Sequence, residues 1–245
     1  MSIDALIDAL PGYAKDLKLN YSSLVRNNTE LAPQQLWGTI VASALATRSA
    51  PLTTAVLDEA QVRLTPLEFE AARAAAAIMG MNNIYYRFQH LSTNEKYGTL
   101  PARLRMNVMR THGIDPLDFE LYGIAVSAIN GCGKCVDTHE KIAREKGASE
   151  ETVLAVVRIA SVIHAIGAVV DAEDAAANVF RIRRARLRTV AQPGRFSAGP
   201  FTTSRRSQNP SSWLPATSWD DNCHLAFLTF PTGPRSASER FCPCR

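Results

Sequence analysis

Through about residue 180, Ala, Leu, Ile and Val recur at three- and four-residue spacing, without the strict alternation of a strand. That period places an apolar stripe on one face of each of a series of helices, so the expectation is an all-α domain over about residues 1–180. Thr65-Pro66-Leu67-Glu68 supplies a start signal. A hydroxyl at the N-cap, Pro at the first helical position and Glu at the third predict a helix over about residues 66–79. Asn130-Gly131 predicts a turn between an apolar helix at about 118–129 and a polar one ending near Lys146. Gly147 and Ser149 predict the end of that helix and the start of the next. The longest apolar stretch, residues 153–170, is interrupted by Arg158 and His164 and reads as a buried helix, not a membrane span. A domain of this length buries roughly 70% of its unfolded surface and needs no disulfide staple.

Shifting the chain by 85 residues lays Gln35-Leu36-Trp37-Gly38 over Glu120-Leu121-Tyr122-Gly123, and Arg73, Ala75 and Ile78 over Arg158, Ala160 and Ile163. Two related helical halves, about 1–90 and 91–180, are expected on that ground. The halves differ in chemistry. Thr47, Ala50 and Gln35 stand where the second half has Cys132, Cys135 and Glu120.

Composition changes the picture only at the far end. Residues 1–180 hold 16 Lys and Arg against 20 Asp and Glu, whereas residues 181–245 hold 11 Arg, no Lys and three acids, so the net charge of +4 belongs to the tail. Seven of the 13 prolines fall there, among Ser, Thr and Gly, and a stretch of that kind has little means of burying a core. It reads as an irregular C-terminal tail, either an extension without function or sequence outside the selected reading frame. The absence of Lys weighs against a nucleic-acid-binding or lipid-binding arm. The start of the chain has no basic segment leading into an apolar one, and there are only five cysteines, so a reducing cytoplasm is the expected compartment.

Candidate chemistry gathers around Cys132-Gly133-Lys134-Cys135 and His139. Thiols at i and i+3 can bridge or bind metal, and an imidazole four residues past the second thiol shares its helix face. The turn at Asn130-Gly131 places the pair at a helix N-terminus, where exposed amides and the macrodipole favour the nucleophilic thiolate. Glu120 starts the preceding helix and would orient His139 as the third member of a nucleophile, base and orienter set. Asp118, Asp137 and Glu140 are alternatives whose simpler reading is solvated helix charge. A zinc-stabilised interaction module using Cys132, Cys135 and His139 is the competing reading, but it needs a fourth ligand from Cys223, Cys242, Cys244 or a distant His. The remaining residues have plainer expectations: His90 and His112 in loops, His164 hydrogen-bonded in the core, Met79 and Met81 as core filler, and Gly38 and Gly80 as points of close helix approach.

The arrangement Glu120-x11-Cys132-x2-Cys135-x3-His139 resembles the active-site signature of the AhpD alkylhydroperoxidases, within the carboxymuconolactone decarboxylase-like superfamily. Met1-Ser2-Ile3, Leu36-Trp37-Gly38-Thr39, the run 76–83 and the run 125–132 extend the resemblance over about residues 1–178. It implies an all-helical fold of two related halves, a homotrimer, and reduction of hydroperoxides through the CxxC. By that resemblance Cys135 attacks peroxide and passes through a sulfenic acid, and Cys132 donates a proton and then closes the disulfide. Glu120 and His139 form the proton relay. The resemblance further implies a transient disulfide from Cys135 to the peroxiredoxin AhpC. It also implies reduction by dihydrolipoamide on a lipoyl-bearing dihydrolipoamide acyltransferase, with no tightly bound cofactor. A variant of the same reading makes the protein chiefly a disulfide reductase of AhpC. Lys134 is either a source of positive potential for the thiolate or an outward-pointing solubilising charge.

Overall fold

Prolines and capping side chains open most of the longer helices. In the computed structural model, which describes residues 2–190 with side chains as far as Ile182, ten α-helices and no strand are found among the described residues. They are α1 (Ile3–Asp8), α2 (Lys15–Tyr21), α3 (Pro33–Thr47), α4 (Ala50–Arg63), α5 (Pro66–Leu91), α6 (Lys96–Thr99), α7 (Val108–Thr111), α8 (Pro116–Ile129), α9 (Gly133–Glu145) and α10 (Glu150–Val190). Pro lies in the first turn of α3, α4, α5 and α8, where its missing N–H is no loss. The box at the start of α5 is reciprocal. Thr65 Oγ1 accepts from Glu68 N at 3.3 Å and Glu68 Oε2 accepts from Thr65 N at 2.8 Å.

The three helices α3, α4 and α5 are matched by α8, α9 and α10, which start 83, 83 and 84 residues later. Helices α3 and α8 pack on each other and on both α5 and α10, around a core that includes Ile40, Val41, Met79, Leu121, Ile124, Ile159, Ile163 and Ile166. Each of these large side chains contributes roughly 1.5–3 kcal/mol by leaving water. Gly38 marks where α3 and α8 come closest. A Cβ there would sit 2.1 Å from Tyr122 Cζ, and the Tyr122 hydroxyl donates to Gln34 O at 2.8 Å. Burial pushes the Tyr122 hydroxyl well above the ordinary tyrosine range, so it stays a donor. The segment between the two triplets, which holds the short helices α6 and α7, brings Met106 and Met109 towards α5.

Several expectations are corrected. The helix expected over 66–79 continues to Leu91, because Gly80 is accommodated inside it with open space beside it and marks no close approach. His90 is therefore exposed in the last turn of α5 instead of lying in a loop, while His112 follows α7 and stacks on Phe119 at 4.3 Å. His164 points to solvent from α10, one position past the buried Ile163, and is not a core residue. Asp118 is not a solvated charge. It is buried and accepts from Gln35 Nε2 at 2.8 Å.

Helix α10 is long and apolar enough by composition to cross a membrane. Val156, Ile159, Ala160, Ile163 and Ile166 are buried against the other helices, so it is a core helix. It runs through residues 181–190, the first part of the stretch expected to be irregular, and residues 191–245 lie outside the described residues.

Candidate active site

The corner between α8 and α9 is built by local backbone bonds and then fastened from α5. Asn130 N, Gly131 N and Cys132 N donate to Val126 O, Ala128 O and Ser127 O at 3.0, 3.1 and 3.0 Å. Gly131 has φ +65°, a left-handed conformation that glycine adopts without penalty. From α5, Asn83 Nδ2 donates to Ser127 Oγ at 3.0 Å, Asn130 Nδ2 donates to Asn83 Oδ1 at 3.0 Å, and Arg87 donates to Asn130 O at 2.6 Å. Asn83 is buried and has a partner at both ends of its amide. Losing the buried Asn83–Ser127 bond costs about 1–3 kcal/mol through the group left unpaired.

Cys132 is the N-cap of α9, and its carbonyl accepts from Cys135 N and Val136 N at 3.0 and 2.9 Å. The two cysteines are joined as a disulfide, with Cα atoms 5.3 Å apart. Helix α9 turns Cys135, His139 and Ala143, four residues apart, into the protein and its polar residues outward. His139 Nδ1 lies 2.6 Å from Glu120 Oε2, and both side chains are largely buried. Room for the imidazole comes from Gly123, one turn along α8 from Glu120. A Cβ at Gly123 would sit 3.1 Å from the ring. Glu120 and His139 therefore face each other across a helix pair whose backbones approach at a glycine.

Cys135 and His139 line one cavity of about 260 Å³, between α5, α7 and α9. Its walls include Met79, Tyr86, Met106, Met109 and Ile142. Cys132 is fully buried and does not line it. Asn82 closes the inner side. Its backbone oxygen is 3.9 Å from Cys135 Sγ, and its side-chain Nδ2 points at the thioether sulfurs of Met109 and Met79, at 3.5 and 4.0 Å. Lys134 reaches over the rim, donating to Gln89 Oε1 at 3.3 Å and lying 5.4 Å from the centre of the Tyr86 ring.

All four residues expected to carry chemistry, Glu120, Cys132, Cys135 and His139, thus come together at this corner. Asp137 is exposed, and Glu140 lies 4.0 Å from Arg144, away from the cavity. Asp118 belongs to the interface of α3 with α8, and burial holds its carboxyl above the usual range in spite of the Gln35 hydrogen bond. Among the described residues no group of three or more His, Cys, Asp and Glu side chains is arranged to hold a metal ion. Sequence reasoning overlooked Asn82, Tyr86, Gly123, Met106 and Met109. The available signal was the run Met79-x-x-Asn82-x-x-x-Tyr86, whose i, i+3, i+7 spacing puts three side chains on one face of α5.

Residues 95–178, which carry the whole constellation, match the carboxymuconolactone decarboxylase family. The chain is 70% identical over 173 residues to the alkyl hydroperoxide reductase AhpD of Acidobacterium capsulatum, covering 71% of this chain and 94% of that protein. It is 58% identical over 173 residues to the AhpD of Solibacter usitatus, covering 71% and 97%, and 56% identical over 174 residues to that of Koribacter versatilis, covering 71% and 90%. With a redox-ready cysteine pair at a helix start and relatives at this identity over nearly their full length, the chain belongs to the AhpD alkyl hydroperoxide reductase family of oxidoreductases.

Proposed function

We propose that this protein is a cytoplasmic antioxidant enzyme that reduces organic hydroperoxides through the Cys132–Cys135 dithiol. The observation that carries the reading is the asymmetry of the pair: Cys135 opens on a cavity shared with His139, whereas Cys132 is buried beside it. In the reduced protein Cys135 is the attacking thiol, favoured as thiolate by the N-terminus of α9. With Nδ1 turned to Glu120, His139 has its other ring nitrogen for proton exchange at the cavity, and the carboxylate orients the ring. Attack on a hydroperoxide gives a Cys135 sulfenic acid and an alcohol, with Cys132 as proton donor. Condensation of Cys132 with the sulfenic acid then releases water and gives the observed disulfide.

Reducing equivalents reach the disulfide from dihydrolipoamide on a lipoyl-bearing acyltransferase, with no tightly bound cofactor, and pass onward to the peroxiredoxin AhpC through a transient disulfide at Cys135. The working unit is a homotrimer of domains spanning about residues 1–180, each built of two related halves. The matched starts of α3–α5 and α8–α10 support the duplication. Steady-state consumption of cumene hydroperoxide with dihydrolipoamide, measured with and without AhpC, tests the reading. Turnover without AhpC supports direct peroxidase activity. Turnover only with AhpC makes the protein a dedicated AhpC reductase, and stoichiometric zinc released on thiol alkylation of freshly purified protein would replace the redox reading with a structural one.

A further inference from the structure

Asn82 and Asn83 are adjacent, equally buried, and treated in opposite ways by the fold. The Asn83 amide is saturated by Ser127 and Asn130. The Asn82 amide, 2% exposed, has an oxygen with no partner among the described residues and a nitrogen that faces only the sulfurs of Met79 and Met109 there. Thioethers are weak acceptors and have no proton to give, so the nitrogen is the end of the amide that belongs beside them. A buried amide left so poorly paired costs about 1–3 kcal/mol, and an apolar side chain of the same shape would avoid that cost. Packing among Met79, Met109 and Ile142 therefore gives no reason for an amide here.

A reason appears in what Asn82 touches. Its own backbone oxygen is 3.9 Å from Cys135 Sγ, and its Nδ2 is directed at two methionines that line the cavity into which Cys135 opens. Resting on the proposed hydroperoxide chemistry, we infer that the Asn82 carboxamide is a catalytic residue: its N–H exchanges the thioether contacts for the departing oxygen of the substrate. When the Cys135 thiolate attacks the terminal oxygen, the S–O bond forms and the O–O bond breaks. Sulfur is oxidised by two electrons, the hydroxyl hydrogen stays on the transferred oxygen as Cys135–SOH, and the alkoxide leaves and takes its proton from Cys132. Negative charge develops on that alkoxide oxygen in a cavity with largely apolar walls, where one preorganised donor has its largest effect. The sulfurs keep the amide oriented between turnovers without competing for it, because an anionic oxygen is much the better acceptor.

The test uses full-length protein carrying Asn82→Leu, which removes the amide at similar volume, and Asn82→Ala, which removes it without adding bulk or charge. Single-turnover loss of the Cys135 thiol is followed with cumene hydroperoxide and, in parallel, with iodoacetamide, whose iodide leaving group makes little demand on a hydrogen-bond donor. The expected result is a peroxide rate down about 10²-fold in both variants, the scale of one lost oxyanion donor. Alkylation should stay within about twofold of the parent, and Asn82→Leu should melt no lower than the parent. If Asn82→Leu does not fold, Asn82→Ala carries the same two measurements. Peroxide rates unchanged in the variants, or peroxide and alkylation rates falling together, overturn the inference. A parent protein inert to hydroperoxide overturns the proposed function itself and is recognised before any variant is made.

Discussion

The corner between α3 and α4 and the corner between α8 and α9 occupy matching places in the two helix triplets, and only one can do redox chemistry. At the first, Thr47 Oγ1 donates to Ala44 O at 2.6 Å and accepts from Ser49 N at 3.1 Å, and Ser49 Oγ donates to Asp171 Oδ1 at 2.6 Å. Gln35, in the place of Glu120, accepts from Ala32 N at 3.1 Å and donates to Asp118 at 2.8 Å, so it caps α3 and ties it to α8. Every polar group named there is engaged within the scaffold. At the second corner the polar work of holding the turn is moved onto α5, through Asn83 and Arg87. That leaves Cys135 and His139 to line open space. A helical corner becomes reactive here by having its structural hydrogen bonds supplied from a neighbour.

The largest way to break this difference is to remove the thiol that faces the cavity. Cys135→Ser should reduce peroxide turnover to background and abolish trapping of a sulfenic acid by dimedone. Cys132→Ser should instead allow a trappable sulfenic acid to accumulate, since no second thiol condenses with it. Trapping in Cys135→Ser and none in Cys132→Ser would reverse the assignment of attacker and resolver.

Next in size is the Glu120–His139 pair. His139→Gln and Glu120→Gln should each slow turnover by roughly 10²-fold, the usual scale of a positioned acid–base group. The double variant should be little slower than either one, because the two act as a unit. Glu120→Gln also makes the second corner resemble the first, where Gln35 stands. Steady-state rates that multiply in the double variant would show that the two residues act separately.

Gly38 and Gly123 sharpen the comparison at the level of packing. Replacing either by Ala gains about 0.5–1 kcal/mol of helix propensity. At Gly38 the new methyl would overlap the Tyr122 ring, which is buried and tethered to Gln34, so overpacking of typically 1–3 kcal/mol should win and lower the melting temperature. At Gly123 the ring of His139 need give only a few tenths of an ångström. Gly123→Ala should therefore melt close to the parent and yet lose roughly tenfold in turnover through the displaced imidazole. Melting curves and rates on the same samples separate the two outcomes.

How much of this was legible without coordinates follows from the range of each interaction. Local signals read correctly: the box at Thr65 and Glu68 opens α5, the turn at Asn130-Gly131 separates α8 from α9, and the i, i+4 spacing sets Cys135 and His139 on one face. The CxxC with Glu120 and His139 was legible because its spacing lies within two consecutive helices. What escaped were relations between distant elements. Gly123 makes room for His139 across a helix pair, Asn83 and Arg87 hold the active corner from α5, and Met106 and Met109 arrive from the segment between the triplets. The end of α5 escaped for a different reason. A single Gly weakens a helix by about 1 kcal/mol, which packing over 26 residues easily overrides.

The smallest effect concerns Asp118, where the inert triplet touches the active one. Burial raises its carboxyl pKa in the folded protein, outweighing the hydrogen bond from Gln35. An acid whose folded pKa lies above its unfolded value binds more protons folded than unfolded. Its contribution is then fully present below the unfolded pKa and is lost as pH rises through the folded pKa. Asp118→Asn keeps an oxygen for Gln35 and removes the titration. The melting temperature of the variant relative to the parent should therefore rise from acid pH towards neutrality and level off once Asp118 is ionised in both states. The peroxide rate should follow the parent at every pH, because Asp118 belongs to the α3–α8 interface and does not line the cavity. A melting difference that shrinks with rising pH would mean that the ionised carboxylate is stabilised at this interface by more than Gln35. The two corners would then be joined by charge and not merely by a hydrogen bond.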